Sequence, residues 1–123
     1  MKKLFARFLE DNLPDIVEPE GAAVLAGHPL VNAGHRIQGG GYSMRDLPLL
    51  RPDQVDGYLK IPDAAAIECA RRLAREEGIF AGFSSGANVA AALQLLQGPC
   101  AGQTVVTIIC DSGLKYLSTD LWP

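Results

Sequence analysis

The stretch GIFAGFSSGANVAAALQLLQG, Gly78 to Gly98, decides how the fold is read. Ile79 to Phe83 is a short apolar run, Ser84-Ser85-Gly86 breaks it, and an alanine- and leucine-rich segment continues to Gln97 before Gly98-Pro99 stops it. That order predicts a buried strand, a corner, and a helix over 87–97. Further on, TVVTIIC, Thr104 to Cys110, is a second short apolar run rich in β-branched residues and predicts a second buried strand. Strand, helix and strand form a β-α-β unit. Crossovers of this kind are right-handed and bring the carboxyl ends of both strands to one edge of the sheet. Ser84-Ser85-Gly86 and Asp111-Ser112-Gly113 therefore meet where open α/β sheets bind ligands. Gly86 is expected to admit a ligand close to the backbone, and the helix start near Ala87 to present free N–H groups. Taken singly, each corner reads as plain structure, with Ser84 or Ser85 capping the helix and Asp111-Ser112-Gly113 forming a turn. Two such corners on one edge, with a third glycine cluster upstream, favour a small-molecule site.

Working outward, the segment from Pro62 to Gly78 carries helix signals. Asp63 is placed to act as N-cap, Ile67, Ala70, Leu73 and Ala74 form an apolar stripe, and Gly78 stands where a left-handed C-terminal residue belongs. Glu68 and Arg72 have the spacing of an i,i+4 pair. Leu4, Phe5, Phe8 and Leu9 predict an amphipathic helix from Met1 to about Asn12, ended by Pro14. Ile16-Val17 reads as a stub of strand stopped by Pro19. Gly27 to Asp53, with Gly39-Gly40-Gly41 inside it, shows no period and reads as a long loop with one short turn of helix.

Composition bounds the function. The chain has 123 residues, 48% hydrophobic and 20% charged, which suits one domain over 1–123 with a modest core. Fourteen acidic residues against 11 basic ones leave no basic stripe for a phosphate backbone, so nucleic acid is not an expected partner. Arg7, Glu10 and Asp11 interrupt the run a signal peptide needs, and no stretch has the length of a membrane span. Cys69, Cys100 and Cys110 form no Cys-x-x-Cys pair, so neither a disulfide framework nor a metal site is expected, and a reducing, cytoplasmic setting is. His28 and His35 lie in the loop without metal spacing, and Cys110 reads as a small buried apolar residue.

Four blocks, VEPEGAAVLAG, HRIQGGGYS, EEGIFAGFSSGANVAAAL and IICDSGLKYLSTDLW, stand in the same order as in the pyridoxal-phosphate-dependent cysteine synthases (O-acetylserine sulfhydrylases). The chain resembles the C-terminal part of that family, whose relatives include cystathionine β-synthase and the tryptophan synthase β chain. The resemblance implies a three-layer α/β architecture, a mostly parallel sheet flanked by helices (tryptophan synthase β-like, fold type II), incomplete relative to the family. It implies pyridoxal 5'-phosphate as cofactor and an activated serine with sulfide as substrates. It places Ser84 at the pyridine nitrogen with Ser85 beside it, Gly39 and Gly41 in a loop flanking the cofactor, and Asp111 and Ser112 close to the ring. Gly40 departs from the bulkier residue usual there, which loosens the loop. A neutral hydroxyl does not hold the ring nitrogen protonated, which suits β-elimination and replacement.

The family's cofactor-bearing lysine, substrate-carboxylate loop and phosphate cradle all lie upstream of the matched blocks. Lys2, Lys3, Lys60 and Lys115 are the lysines present, and none reads as desolvated and aimed at a ring, as a nucleophilic lysine must be. The chain is thus expected to be a fragment or split portion, inactive alone. Expected partners are an amino-acid substrate, a complementing N-terminal half and a further copy in a homo-oligomer. The alternative is a non-catalytic module that binds such a half or a homologous partner. With two clear strands and one doubtful one, part of the apolar sheet is expected to stay open.

Overall fold

A computed structural model describes residues 13–37 and 44–122. The helix expected over Met1 to about Asn12, and both Gly39 and Gly41, lie outside the described residues.

Two strands pair in parallel, β1 (Asp15–Pro19) with β2 (Gly57–Ile61), in the register Asp15↔Gly57 through Pro19↔Ile61. The stub expected at Ile16-Val17 is the centre of β1. Pro19 ends the strand because it carries no N–H for the ladder. The segment 57–61, which carries no strand expectation from the sequence, is a strand. Its residues alternate, with Tyr58 and Lys60 exposed and Ile61 fully buried, so one face rests on the core. Behind β1, Glu18 is buried and accepts from the N–H groups of Leu25 and Ala26, both at 2.9 Å. That carboxylate ties down the turn after the one-turn 3-10 helix Glu20–Ala22.

Two α-helices follow, α1 (Asp63–Glu77) and α2 (Phe83–Gln97). Pro62, not Asp63, occupies the N-cap of α1, and the Asp63 carboxylate accepts from the Arg36 N–H at 2.9 Å. Gly78 ends α1 in the left-handed region at φ 69°, as expected. On the outer face Arg72 pairs with Glu76 and Arg75 with Glu68, in place of the expected Glu68–Arg72 pair. Both pairs are about half exposed and contribute little.

The start of α2 departs from the sequence expectation. The helix begins at Phe83 and takes in Ser84-Ser85-Gly86, with Gly82 as N-cap and the Gly86 N–H donating to the Gly82 carbonyl at 3.1 Å. Neither serine is the N-cap. Gly86 does not open the backbone to a ligand either: a Cβ there would collide with the Ala66 carbonyl and stand 2.9 Å from the Ala70 Cβ. It is the point where α2 rests on α1. Around it pack Ile37, Ile61, Ala66, Ala87, Ala90 and Ala91, and a second cluster gathers Ala70, Phe83, Tyr116 and Leu121.

The expected β-α-β unit does not form as a sheet. Residues 79–83 and 104–110 contribute no strand among the described residues; Ala81 makes only an isolated antiparallel bridge to Ser112, beyond the second segment. A buried parallel strand needs neighbours and cover on both faces, and the described residues supply neither for 104–110. Val106 is 64% and Ile108 71% exposed, and Leu114 and Leu117 are exposed as well. The architecture is accordingly α/β, with a parallel sheet and packed helices and an apolar face left open.

Candidate functional site

The two corners do meet. Ser85 is fully buried, and its Oγ accepts from the Cys110 N–H at 3.0 Å. One turn further along the same face of α2, Asn88 donates through Nδ2 to the Ile108 carbonyl at 2.9 Å. Residues 108–110 are therefore tethered to α2 by side chains. The bridge Ala81↔Ser112 and the bond from the Gly113 N–H to the Phe80 carbonyl, 3.0 Å, close the other side. Ser84 stands half-buried in the first turn of α2, next to Ser85.

On the second corner, the Ser112 Oγ accepts from the Leu114 N–H at 3.2 Å and caps the 3-10 helix Gly113–Tyr116. Asp111 uses one carboxylate oxygen fully: Oδ2 accepts from the Tyr116 hydroxyl at 2.6 Å and from Lys115 Nζ at 3.2 Å. Its Oδ1 is buried without a hydrogen-bond partner among the described residues, a costly state for a carboxylate oxygen. That oxygen lies against Gly82, where a Cβ would collide with it and with the Tyr116 ring. Gly82 is thus required by close approach. The Tyr116 ring also meets Phe83 edge-on, centroids 5.2 Å apart.

Burial first, then the bond to Asp111 and its charge, pushes the Tyr116 phenol up to about 12 from 10.0. A phenol whose folded value lies above its unfolded one binds its proton more tightly in the folded state. The stability it contributes is whole below pH 10 and is lost as pH rises through about 12. Alkaline titration followed by circular dichroism should show this loss in the wild-type chain, and Tyr116→Phe should lack that part of the pH dependence. An unchanged alkaline profile in the variant would place the transition elsewhere.

Other residues singled out in the sequence stand apart from the junction. Cys110 is exposed, not buried, and its sulfur accepts from Asn88 Nδ2 at 3.4 Å. Lys115 is 66% exposed and held by Asp111, and Lys60 is exposed on β2, so neither is desolvated as a nucleophilic lysine must be. His35 lines an open cleft of 390 Å³ with Glu20, Asn32 and Asp63, which shares no residue with the corners. Among the described residues no group of three or more His, Cys, Asp or Glu could hold a metal ion, and no helix is long and apolar enough to cross a membrane. What sequence reading missed is the grip on the corners: Asn88, Tyr116 and Gly82. The spacing of Asn88 three residues after Ser85 was the available signal, since it places both on one helix face.

At the junction the first turn of α2 meets the 110–112 limb through Ser85, with the buried Oδ1 of Asp111 packed against Gly82. Residues 5–111 match the family model of the pyridoxal-phosphate dependent enzymes. The chain belongs to that family. It is 38% identical over 121 residues to a cysteine synthase of Staphylococcus aureus, a match covering 94% of this chain and 38% of the relative. It is 40% identical over 118 residues to a probable cysteine synthase of Bacillus subtilis, covering 93% of this chain and 37% of that one. Among solved structures, the cysteine synthase of Entamoeba histolytica superposes with a TM-score of 0.83 at 33% identity, over 95% of this chain and 35% of that one. An O-acetylserine dependent cystathionine β-synthase from Helicobacter pylori gives a TM-score of 0.78 at 32% identity, over 96% of this chain and 39% of that one. The fold is that of part of a cysteine synthase, and the chain spans less than two fifths of the length of these relatives.

Proposed function

We propose that the chain forms the ring-nitrogen side of a cysteine synthase-like site, in an enzyme that makes cysteine from an activated serine and sulfide. The observation that carries this reading is the junction itself, where Ser85 and Cys110 lock two corners and leave the Ser84 hydroxyl in the first turn of α2. Pyridoxal phosphate, when bound, supplies the electron sink for β-elimination and replacement.

The chain's own residues then have separate tasks. Ser84 meets the ring nitrogen as a neutral partner and does not hold a proton there, as a carboxylate would. Ser85, its oxygen already taken by Cys110, belongs to the site as the tie that fixes Ser84 and the 110–112 limb. Asp111 and Ser112 border the ring, the Asp111 carboxylate held in place by Tyr116 and Lys115. Gly39 and Gly41, outside the described residues, are assigned to the same site by the family resemblance alone.

The lysine and phosphate-binding segment come from polypeptide corresponding to the part of the relatives outside the aligned 38%. The exposed apolar side chains of Val106, Ile108, Leu114 and Leu117 support docking of that polypeptide, in an assembly that is also a homo-oligomer.

Co-expression with the remaining segment of the Staphylococcus aureus relative tests this. The expected result is co-purification, retention of pyridoxal phosphate through dialysis, and cysteine formation from O-acetylserine and sulfide, with no turnover from either piece alone. A co-purified pair that holds no cofactor and turns nothing over would reject the reading.

A further inference from the structure

The two corners are also gripped from outside. The Trp122 ring lies on Phe80, centroids 4.5 Å apart and planes tilted by 35°, and its Nε1 donates to the Gly113 carbonyl at 3.1 Å. The Gly113 N–H in turn donates to the Phe80 carbonyl at 3.0 Å, and a Cβ at Gly113 would come within 2.9 Å of the Phe80 ring. Three segments distant in sequence thus close on one another: the limb entering α2, the limb after Cys110, and the tail.

The tail is itself anchored. Leu121 is fully buried, and Arg71 on α1 donates to the carbonyls of Leu121 at 2.8 Å and Asp120 at 2.7 Å. Thr119 Oγ1 donates to the Tyr116 carbonyl and accepts from the Leu121 N–H. Trp122 therefore stands on a strut that runs from α1 to both limbs. Filling space alone would ask only for an aromatic ring. An indole whose donor is spent on Gly113 while its face lies on Phe80 holds one limb against the other.

We propose that Trp122 is a positioning residue for the cofactor site, fixing the spacing between Ser84 and the Asp111-Ser112 limb by holding Phe80 and Gly113 at once. The role rests on the proposed function and adds to it a residue that touches neither cofactor nor substrate.

Amide exchange and cofactor retention, measured on the full chain with its complementing polypeptide, test it. Trp122→Ala is expected to speed exchange of the Gly113 and Cys110 N–H groups about tenfold, the scale of one hydrogen bond and one aromatic contact. The interior amides of α1 keep their wild-type rates, and the dissociation constant for pyridoxal phosphate rises by a similar factor. Trp122→Phe keeps the ring and loses the donor. It is expected to restore most of the cofactor affinity while the Gly113 amide still exchanges several times faster, and it carries the test should the alanine variant fail to fold. Corner amides at wild-type rates in both variants overturn the role. So does acceleration shared equally with α1, or a loosened corner with unchanged cofactor affinity. Failure of the proposed function is read separately, on the wild-type pair, as no cofactor retained at all.

Discussion

Ser85→Ala is expected to lower the melting temperature, whereas Ser84→Ala lowers turnover of the complemented enzyme and leaves melting nearly unchanged. Ser85 is fully buried, and its Oγ accepts the Cys110 N–H. Alanine removes that acceptor and leaves a part-buried N–H unpaired, which costs roughly 1–3 kcal/mol. For a domain of this size each kcal/mol moves the midpoint by about 4 °C. Ser84 is half-buried in the first turn of α2, where alanine is well tolerated, so its loss should change stability by less than about 1 kcal/mol. If its hydroxyl meets the ring nitrogen, losing that bond costs on the order of 1–3 kcal/mol in turnover, roughly 5- to 150-fold. Thermal melting and turnover on both variants separate the two roles. Should Ser84→Ala depress the melting temperature and spare turnover, the cofactor role assigned to it fails.

Gly86→Ala is expected to destabilise the chain, against the usual sign for glycine in a helix. Alanine in a helix interior is ordinarily favoured over glycine by about 1 kcal/mol. Here the added Cβ would collide with the Ala66 carbonyl, and it would stand 2.9 Å from the Ala70 Cβ and N. The backbone of α1 cannot turn aside as a flexible side chain can, so α1 and α2 must separate. Overpacking of this kind costs about 1–3 kcal/mol or more. Because both core clusters draw on residues of α1 or α2, the loss should reach the whole fold. Loss of a cooperative melt, or a midpoint lowered by several degrees, is the expected reading in a thermal scan. A raised midpoint would mean that the two helices do not meet at Gly86.

The sequence by itself determined the local stops and the chemical identity of the corners. Proline and glycine act on their own backbone, so Pro19 closing β1, Pro62 preceding α1 and the left-handed Gly78 after it were legible without any partner. The resemblance carried by four blocks placed the chain in its family, and the family match over 5–111 agrees. The alternation of Tyr58, Leu59, Lys60 and Ile61 was there to be read, but Lys60 and Pro62 hid a strand whose existence depends on β1 lying beside it.

Tertiary structure alone decided what each corner residue does. A serine at a helix start reads as a cap, but in the fold the helix already begins at Phe83 and the buried Ser85 hydroxyl accepts from the Cys110 N–H instead. Gly86 reads as room for a ligand until Ala66 and Ala70 occupy that room. TVVTIIC reads as a buried strand because its side chains are apolar and β-branched, yet burial depends on what neighbouring chain supplies. Among the described residues nothing pairs with it as a strand, so its order comes from Ser85 and Asn88 on α2, and its apolar face stays open.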